Sequence, residues 1–262
     1  MTEYDIFRAC FPMLNLSEKL FEELSEIKSC TRFSTEGGFA LAKDNALTLL
    51  AVHPDYRKQG AGSALLKMCE NKIAEKGYEK AELDGFLCGA VDGSCGFFEK
   101  SGYTLGNEYC EMKLPLSDYR DPLPDVSAKF GFYKNIEDIR SAAGMVDDDW
   151  VQFFDGDGEY FCGFDRAGRL ISFCILDDNE FCLISEENIR TGSVGCVGTI
   201  PAARGNGVGL KMVSLALEEL KRRGCGQCFI HQTHLEGWYG KLGAQTVLKF
   251  RTAEKNIGAH TL

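Results

Sequence analysis

The stretch DYRKQGAGSALL, residues 55–66, sets a charged run against two glycines and then turns apolar. A second stretch, AARGNGVGLKMV at residues 202–213, has the same form. In each, an Arg is followed three and five residues later by Gly: Arg57, Gly60 and Gly62, then Arg204, Gly207 and Gly209. Every member of the first set has its counterpart 147 residues on, as do Pro54 in Pro201 and Gly77 in Gly224. A repeat held in register without insertion or loss marks an internal duplication. The 262 residues then divide into two domains of about 130 each.

Each copy is entered from an apolar run, ALTLLAV (46–52) or VGCVGTI (194–200), and left through an amphipathic one. Leu65, Leu66, Cys69 and Ile73 fall at helical spacing, with Gly77 placed to end the helix; Met212, Val213, Ala216 and Leu220 repeat them before Gly224. The unit is therefore strand, glycine loop, helix, and the fold class is α/β. The first turn of a helix leaves backbone N–H groups without partners, and with the helix dipole these make an anion site that glycines let a ligand approach. A Walker loop needs Gly-Lys-Ser/Thr at its end, where this chain has Ser63-Ala64 and Leu210-Lys211. A dinucleotide fingerprint needs a third Gly where Leu65 and Met212 stand. A plain strand-to-helix connection accounts for one glycine pair more readily than for two with the Arg retained.

Both copies, VHPDYRKQGAGSALL and TIPAARGNGVGLKMV, resemble the acetyl-CoA-binding motif of the GNAT N-acetyltransferase superfamily, (R/Q)-x-x-G-x-(G/A) entered through a Pro turn. The resemblance extends over nearly the whole chain as a tandem pair on mixed sheets, an α+β arrangement. It implies that the loop amides hold the CoA pyrophosphate and that the preceding strand pairs with the pantetheine arm. The implied cofactor residues are Val197, Thr199, Arg204, Gly205, Asn206, Gly207, Val208, Gly209 and Leu210 in the second half. In the first half they are Val52, Arg57, Lys58, Gln59, Gly60, Ala61, Gly62 and Ser63.

The family's next motif ends in an aromatic pair whose Tyr protonates the departing thiolate. GWYGKLGA places Tyr239 there, whereas GFFEKSGY places Phe98. A phenol can donate a proton and a phenyl ring cannot, so catalysis is expected in the second half, with a buried core aromatic as the competing account of Tyr239. Neither strand entering a glycine loop carries a carboxylate, which leaves His231, His234 and Glu236 as candidate bases, beside an amine that arrives neutral or loses its proton through water. The expected activity is transfer of an acetyl group from acetyl-CoA to a small-molecule or peptide amine. A CoA-binding regulatory or scaffold protein without turnover is the alternative.

Three of the six prolines fall in LPLSDYRDPLPD (114–125), which reads as an extended linker. The expected division is 1–115, a linker 116–126, and 127–262. SAKFGFY (127–133) opens the second half as a strand, and the first half has no such opening strand, so one of its edge strands is missing or borrowed. The net charge of −10 disfavours nucleic acid, whose phosphates need a basic surface. No apolar run reaches a membrane span and the start lacks a signal-peptide pattern, so a cytoplasmic protein is expected. Its 12 cysteines then pack as free thiols, and the single Cys225-x-x-Cys228 pair falls short of a zinc set, so no metal is expected. Asp147 to Trp150 (DDDW) reads as a solvated helix start rather than an amine trap.

Overall fold

The computed structural model describes residues 1–12, 14, 17–25, 30–83, 89, 93–179 and 189–258. In chain order the first half forms α1 (Glu3–Cys10), α2 (Glu18–Ser25), β1 (Thr31–Thr35), β2 (Gly38–Lys43), β3 (Ala46–Val52), α3 (Ala61–Glu75), β4 (Lys80–Leu83), α4 (Ser94–Lys100) and β5 (Thr104–Pro115). The second half forms β6 (Lys129–Tyr133), α5 (Ile136–Gly144), β7 (Glu159–Phe164), β8 (Leu170–Asp177), β9 (Thr191–Thr199), α6 (Val208–Arg222), β10 (Gln227–Thr233), α7 (Glu236–Tyr239) and β11 (Gln245–Asn256). The chain folds as two compact units, Met1–Tyr109 with Leu248–Leu262, and Cys110–Val247.

In the first unit the antiparallel meander β1–β2–β3 passes through α3 to β4, which pairs parallel with β3. Helix α1 is stopped from fraying by a capping box, in which Thr2 Oγ1 accepts from Asp5 N at 3.1 Å and Asp5 accepts from Thr2 N at 2.6 Å. Helix α3 buries Leu65, Leu66, Cys69 and Ile73, the residues picked out by spacing, and turns off at Gly77 with φ +89°.

The second unit repeats this plan with one strand more at its start. The meander β6–β7–β8–β9 leads through α6 to β10, parallel to β9. Met212, Val213, Ala216 and Leu220 of α6 are fully buried in a core shared with β5, β8 and β10. Helix α5 covers the other face, over Phe154, Tyr160, Cys162 and Phe173.

The borrowed strand exists, but at a different edge from the one SAKFGFY would fill. The end of β11 runs antiparallel to β4, from Ala253 opposite Leu83 to Asn256 opposite Lys80. Lys255 Nζ donates to the nearly buried Glu70 carboxylate at 2.8 Å and fastens that strand to α3. In turn β5 lies antiparallel to β10, from Lys113 opposite Phe229 to Pro115 opposite Gln227. Each half of the sequence thus supplies a strand to the other half's unit.

Residues 116–126 are not a loose linker. Leu116 is fully buried, and Tyr119 and Leu123 pack on the second core. The Tyr119 hydroxyl lies 2.7 Å from Ser214 Oγ, which donates to Asp121 at 2.6 Å. Lys211, 7 % exposed, pairs with Asp121 and donates to the Leu123 carbonyl at 3.1 Å. Buried charge persists only when paired and hydrogen-bonded, and this set meets that condition. The segment is a strap tied along α6.

Of the ten described cysteines seven are buried. Burial raises the Cys69 and Cys162 thiols to about 12, which suits packing rather than reactivity. Asp147 caps the short helix after it by accepting from Asp149 N at 3.0 Å, the solvated helix start that the sequence implied. Among the described residues no helix is long and apolar enough to cross a membrane.

Candidate active site

The two glycine loops share one geometry. After the strand, Pro54–Tyr56 and Pro201–Ala203 each make a single 3₁₀ turn. Gly60 (φ +91°) and Gly207 (φ +73°) then cap α3 and α6 in the left-handed region, which a side chain would strain. The first intrahelical bonds are Ala64 N to Gly60 O and Lys211 N to Gly207 O, both 3.0 Å. The amides of Ala61, Gly62 and Ser63, and of Val208, Gly209 and Leu210, precede those bonds at the positive end of each helix. Lys58 and Gly205 occupy equivalent positive-φ positions at +61° and +83°.

The arginines do something the spacing did not disclose. Arg57 Nε donates to the Val52 carbonyl and Arg204 Nε to the Thr199 carbonyl, each at 2.9 Å. Each guanidinium staples the loop to the last carbonyl of its strand. Gln59 Nε2 likewise bonds the Asp55 carbonyl within its own turn, at 3.1 Å.

The space around the loops differs. A cavity of about 430 Å³ in the first unit is lined by Val52, Arg57, Lys58, Gly60, Gly62 and Ser63, and also by Phe98. A Cβ at Gly62 would touch Phe97 at 3.5 Å, an ordinary contact. At Gly209 it would meet Thr199 Oγ1 at 2.4 Å, with Trp238 at 3.6 Å. A larger cavity in the second unit, about 990 Å³, reaches that loop only at Ala202, Ala203, Asn206 and Val208.

The second unit opens its sheet beyond the loop strand. Strands β9 and β10 pair from Thr191 and Gln227 to Ser193 and Phe229, and no further, although β9 continues to Thr199 and β10 to Thr233. In the first unit β3 pairs with the end of β4, Ala46 opposite Glu82 and Leu47 opposite Leu83, and runs on to Val52. On β9 the parting coincides with a bulge near Cys196, whose φ is +45°, and Val197 follows half-buried.

Residues 127–257 match the family model described as acetyltransferase (GNAT) family, and residues 32–120 match a second acetyltransferase (GNAT) domain model. The chain belongs to the GNAT acetyltransferase family. A curated relative, mycothiol acetyltransferase of Mycolicibacterium gilvum (strain PYR-GCK), is 28 % identical over 207 residues, which is 70 % of this chain and 63 % of that protein. The match thus spans a little under two thirds of the relative's length. Among solved structures, a GCN5-related N-acetyltransferase from Sphaerobacter thermophilus overlays with a TM-score of 0.73 at 15 % identity, covering 97 % of this chain and 91 % of that one. A GCN5-related glucosamine N-acetyltransferase region of a fungal multi-domain β-N-acetylglucosaminidase reaches 0.77 at 20 % identity, over 95 % of this chain and 36 % of that one. A tandem GNAT protein from the clavulanic acid pathway reaches 0.60 at 11 %, over 98 % and 96 %. At such identities the overlays establish the fold.

With the GNAT plan in place, the remaining candidates can be located. Tyr239 ends α7 with 5 % of its surface exposed, in the same cluster as Val194 and Ile230, the residues on β9 and β10 where those strands separate. Burial, and then the neighbouring Cys174 and Cys228, push its hydroxyl above the ordinary tyrosine range. Phe98, its counterpart in the GNAT repeat, is buried on α4. Glu236 accepts from Thr246 Oγ1 at 2.6 Å, and His234 is exposed. His231 Nδ1 lies 2.6 Å from a carboxylate absent from the sequence expectations, Glu111 of β5. A strand pairing between residues 120 positions apart leaves no mark in local sequence.

Proposed function

We propose that this protein is an acetyl-CoA-dependent N-acetyltransferase acting on a small-molecule or peptide amine, with its chemistry in the second unit. The parting of β9 from β10 carries the reading. It leaves the backbone of Val197 to Thr199 open to an extended thioester arm, with the first-turn amides of α6 at one end for the pyrophosphate. Arg204 and Asn206 shape that loop, and Gly205, Gly207 and Gly209 keep side chains out of it. The amine nitrogen bonds to the acetyl carbon as the C–S bond breaks, and Tyr239 gives its proton to the departing sulfur. Its hydroxyl is protonated at neutral pH and so has a proton to give, while the rise that burial causes makes it a weaker acid toward the thiolate.

The first unit would bind CoA in its own cavity, through Val52 and the loop from Arg57 to Ser63, without a phenolic acid. Lys58 and Arg57 line that cavity and supply positive charge to it. Its part would be structural or CoA-sensing. A cytoplasmic setting fits the many buried thiols, and the net charge of −10 makes a nucleic-acid partner unfavourable.

A second reading, CoA binding without turnover, draws on the depth of Tyr239 and on the Phe98-lined cavity. Release of CoA thiol from acetyl-CoA over polyamines, aminoglycosides, amino acids and peptide N-termini separates the two. Amino sugars join the panel because one neighbour in fold is a glucosamine N-acetyltransferase region. Thiol release with any amine supports the enzyme; CoA binding by calorimetry with no release across the panel supports the second reading.

A further inference from the structure

Strand β10 is irregular just past the point where it leaves β9. Against β5 its register runs Phe229 opposite Lys113 and Ile230 opposite Met112, then resumes at Thr233 opposite Cys110. His231 and Gln232 therefore both stand against a single residue, Glu111. Two residues against one is a β-bulge, a device that re-aims side chains and recurs beside active sites. Gln232 takes the left-handed φ of +47° to make it.

Glu111 closes on both bulge residues. One carboxylate oxygen accepts from the Gln232 amide at 3.1 Å and the other lies 2.6 Å from His231 Nδ1. The Glu111 side chain is 13 % exposed, so its charge is held close to these two partners, while His231 keeps 35 % of its side-chain surface. Phe229 stacks on the imidazole at 5.9 Å and 14°, which fixes the ring plane. A carboxylate at Nδ1 selects the tautomer with its N–H there and its lone pair at Nε2, and favours the ring when it gains a second proton. This orientation stands two residues beyond the last β9–β10 bridge, at the mouth of the opening.

We infer that His231 is the base that takes the acceptor's proton, and that Glu111, a positioning residue from the other half of the sequence, sets its tautomer. The inference rests on the acetyltransferase reading. As the amine lone pair forms the N–C bond, the C–S electron pair moves to sulfur. The nitrogen's proton passes to Nε2 and the sulfur takes one from Tyr239. His231 then holds the proton that Tyr239 lacks, and exchange with water restores both. Among charged groups near this pair in the strand order, Lys113 stands two residues from Glu111 on β5, Asp177 of β8 lies opposite Ser193 of β9, and His234 and Glu236 follow β10 along the chain.

The test uses the full chain with isotope-labelled histidine, since only four histidines need assigning. In nuclear magnetic resonance titrations the His231 ring should take up its proton at lower pH in Glu111→Gln than in wild type. In kinetics with the fastest amine of the panel, His231→Gln should lower kcat about 10²- to 10⁴-fold at neutral pH. Its rate should then climb as the amine itself deprotonates, with acetyl-CoA affinity by calorimetry unchanged. Glu111→Gln should move the acid limb of kcat/KM to lower pH. A His231→Gln protein with unchanged rate and limb overturns the base, as does a His231 titration indifferent to Glu111→Gln. A wild-type protein that acetylates no amine overturns instead the reading beneath it.

Discussion

Gly209 is the residue at which the two loops part company. A Cβ there would meet Thr199 Oγ1 at 2.4 Å, whereas at Gly62 the nearest atom is Phe97 at 3.5 Å. Overpacking a close contact costs about 1–3 kcal/mol, so Gly209→Ala should lower the urea midpoint clearly and Gly62→Ala hardly at all. Equal midpoints would contradict the account of the second loop. Gly207→Val should abolish acetyl-CoA binding in the second unit, since it places a β-branched residue at φ +73° and a side chain beside the first-turn amides. Calorimetry showing one unchanged site per unit would refute this. At this scale the sequence was legible where backbone conformation decides, at Gly60, Gly207, Gly77 and Gly224. It was silent on where Arg57 and Arg204 turn, because spacing does not reveal that each guanidinium finds its own strand's last carbonyl.

Helix α6 shows how an element is held from both sides. Its apolar face was readable at helical spacing, but the strap along it was not: Leu116, Tyr119 and Leu123 fall at i, i+3 and i+7, a helical spacing that Pro115, Pro122 and Pro124 keep from forming a helix, so the period says nothing of what they cover. Asp121 is the key of that strap. Burial opposes its charge, yet Lys211 and Ser214 hold its carboxyl below the usual range. Asp121→Ala leaves the buried Lys211 with only the Leu123 carbonyl and the more distant, exposed Asp125, at 3.4 Å, and should cost about 1–3 kcal/mol in urea unfolding; an unchanged midpoint would reduce the strap to a passive linker. At the helix end, hydrogen bonds from Arg222 and Arg223 depress Glu219 to about 2. A depressed carboxyl contributes stability that is present above its unfolded value, near 4.3, and is lost as pH falls through the folded one. Glu219→Gln should therefore lose less stability than wild type between about pH 5 and pH 2, as measured by urea unfolding at each pH.

For the molecule, the duplication and its two-unit consequence were visible in residues 57–62 and 204–209, because both copies keep the same interval. The exchange of strands was visible only as a lack in the first half, since β11 pairs with β4 across some 170 residues of sequence. Removing residues 248–262 should expose the backbone of β4, so the amides of Lys80–Leu83 should exchange with solvent rapidly while those of β9 stay protected; protection unchanged at β4 would deny the borrowed strand its role. The central claim, turnover in the second unit with a phenolic acid, is met most directly by steady-state CoA-thiol release from Tyr239→Phe compared with Gly60→Val. Tyr239→Phe should lower kcat about 10²- to 10⁴-fold with acetyl-CoA affinity retained, while Gly60→Val leaves the chemistry largely intact. Activity lost in Gly60→Val and untouched in Tyr239→Phe would place the reaction in the first unit, beside Phe98, and contradict the account.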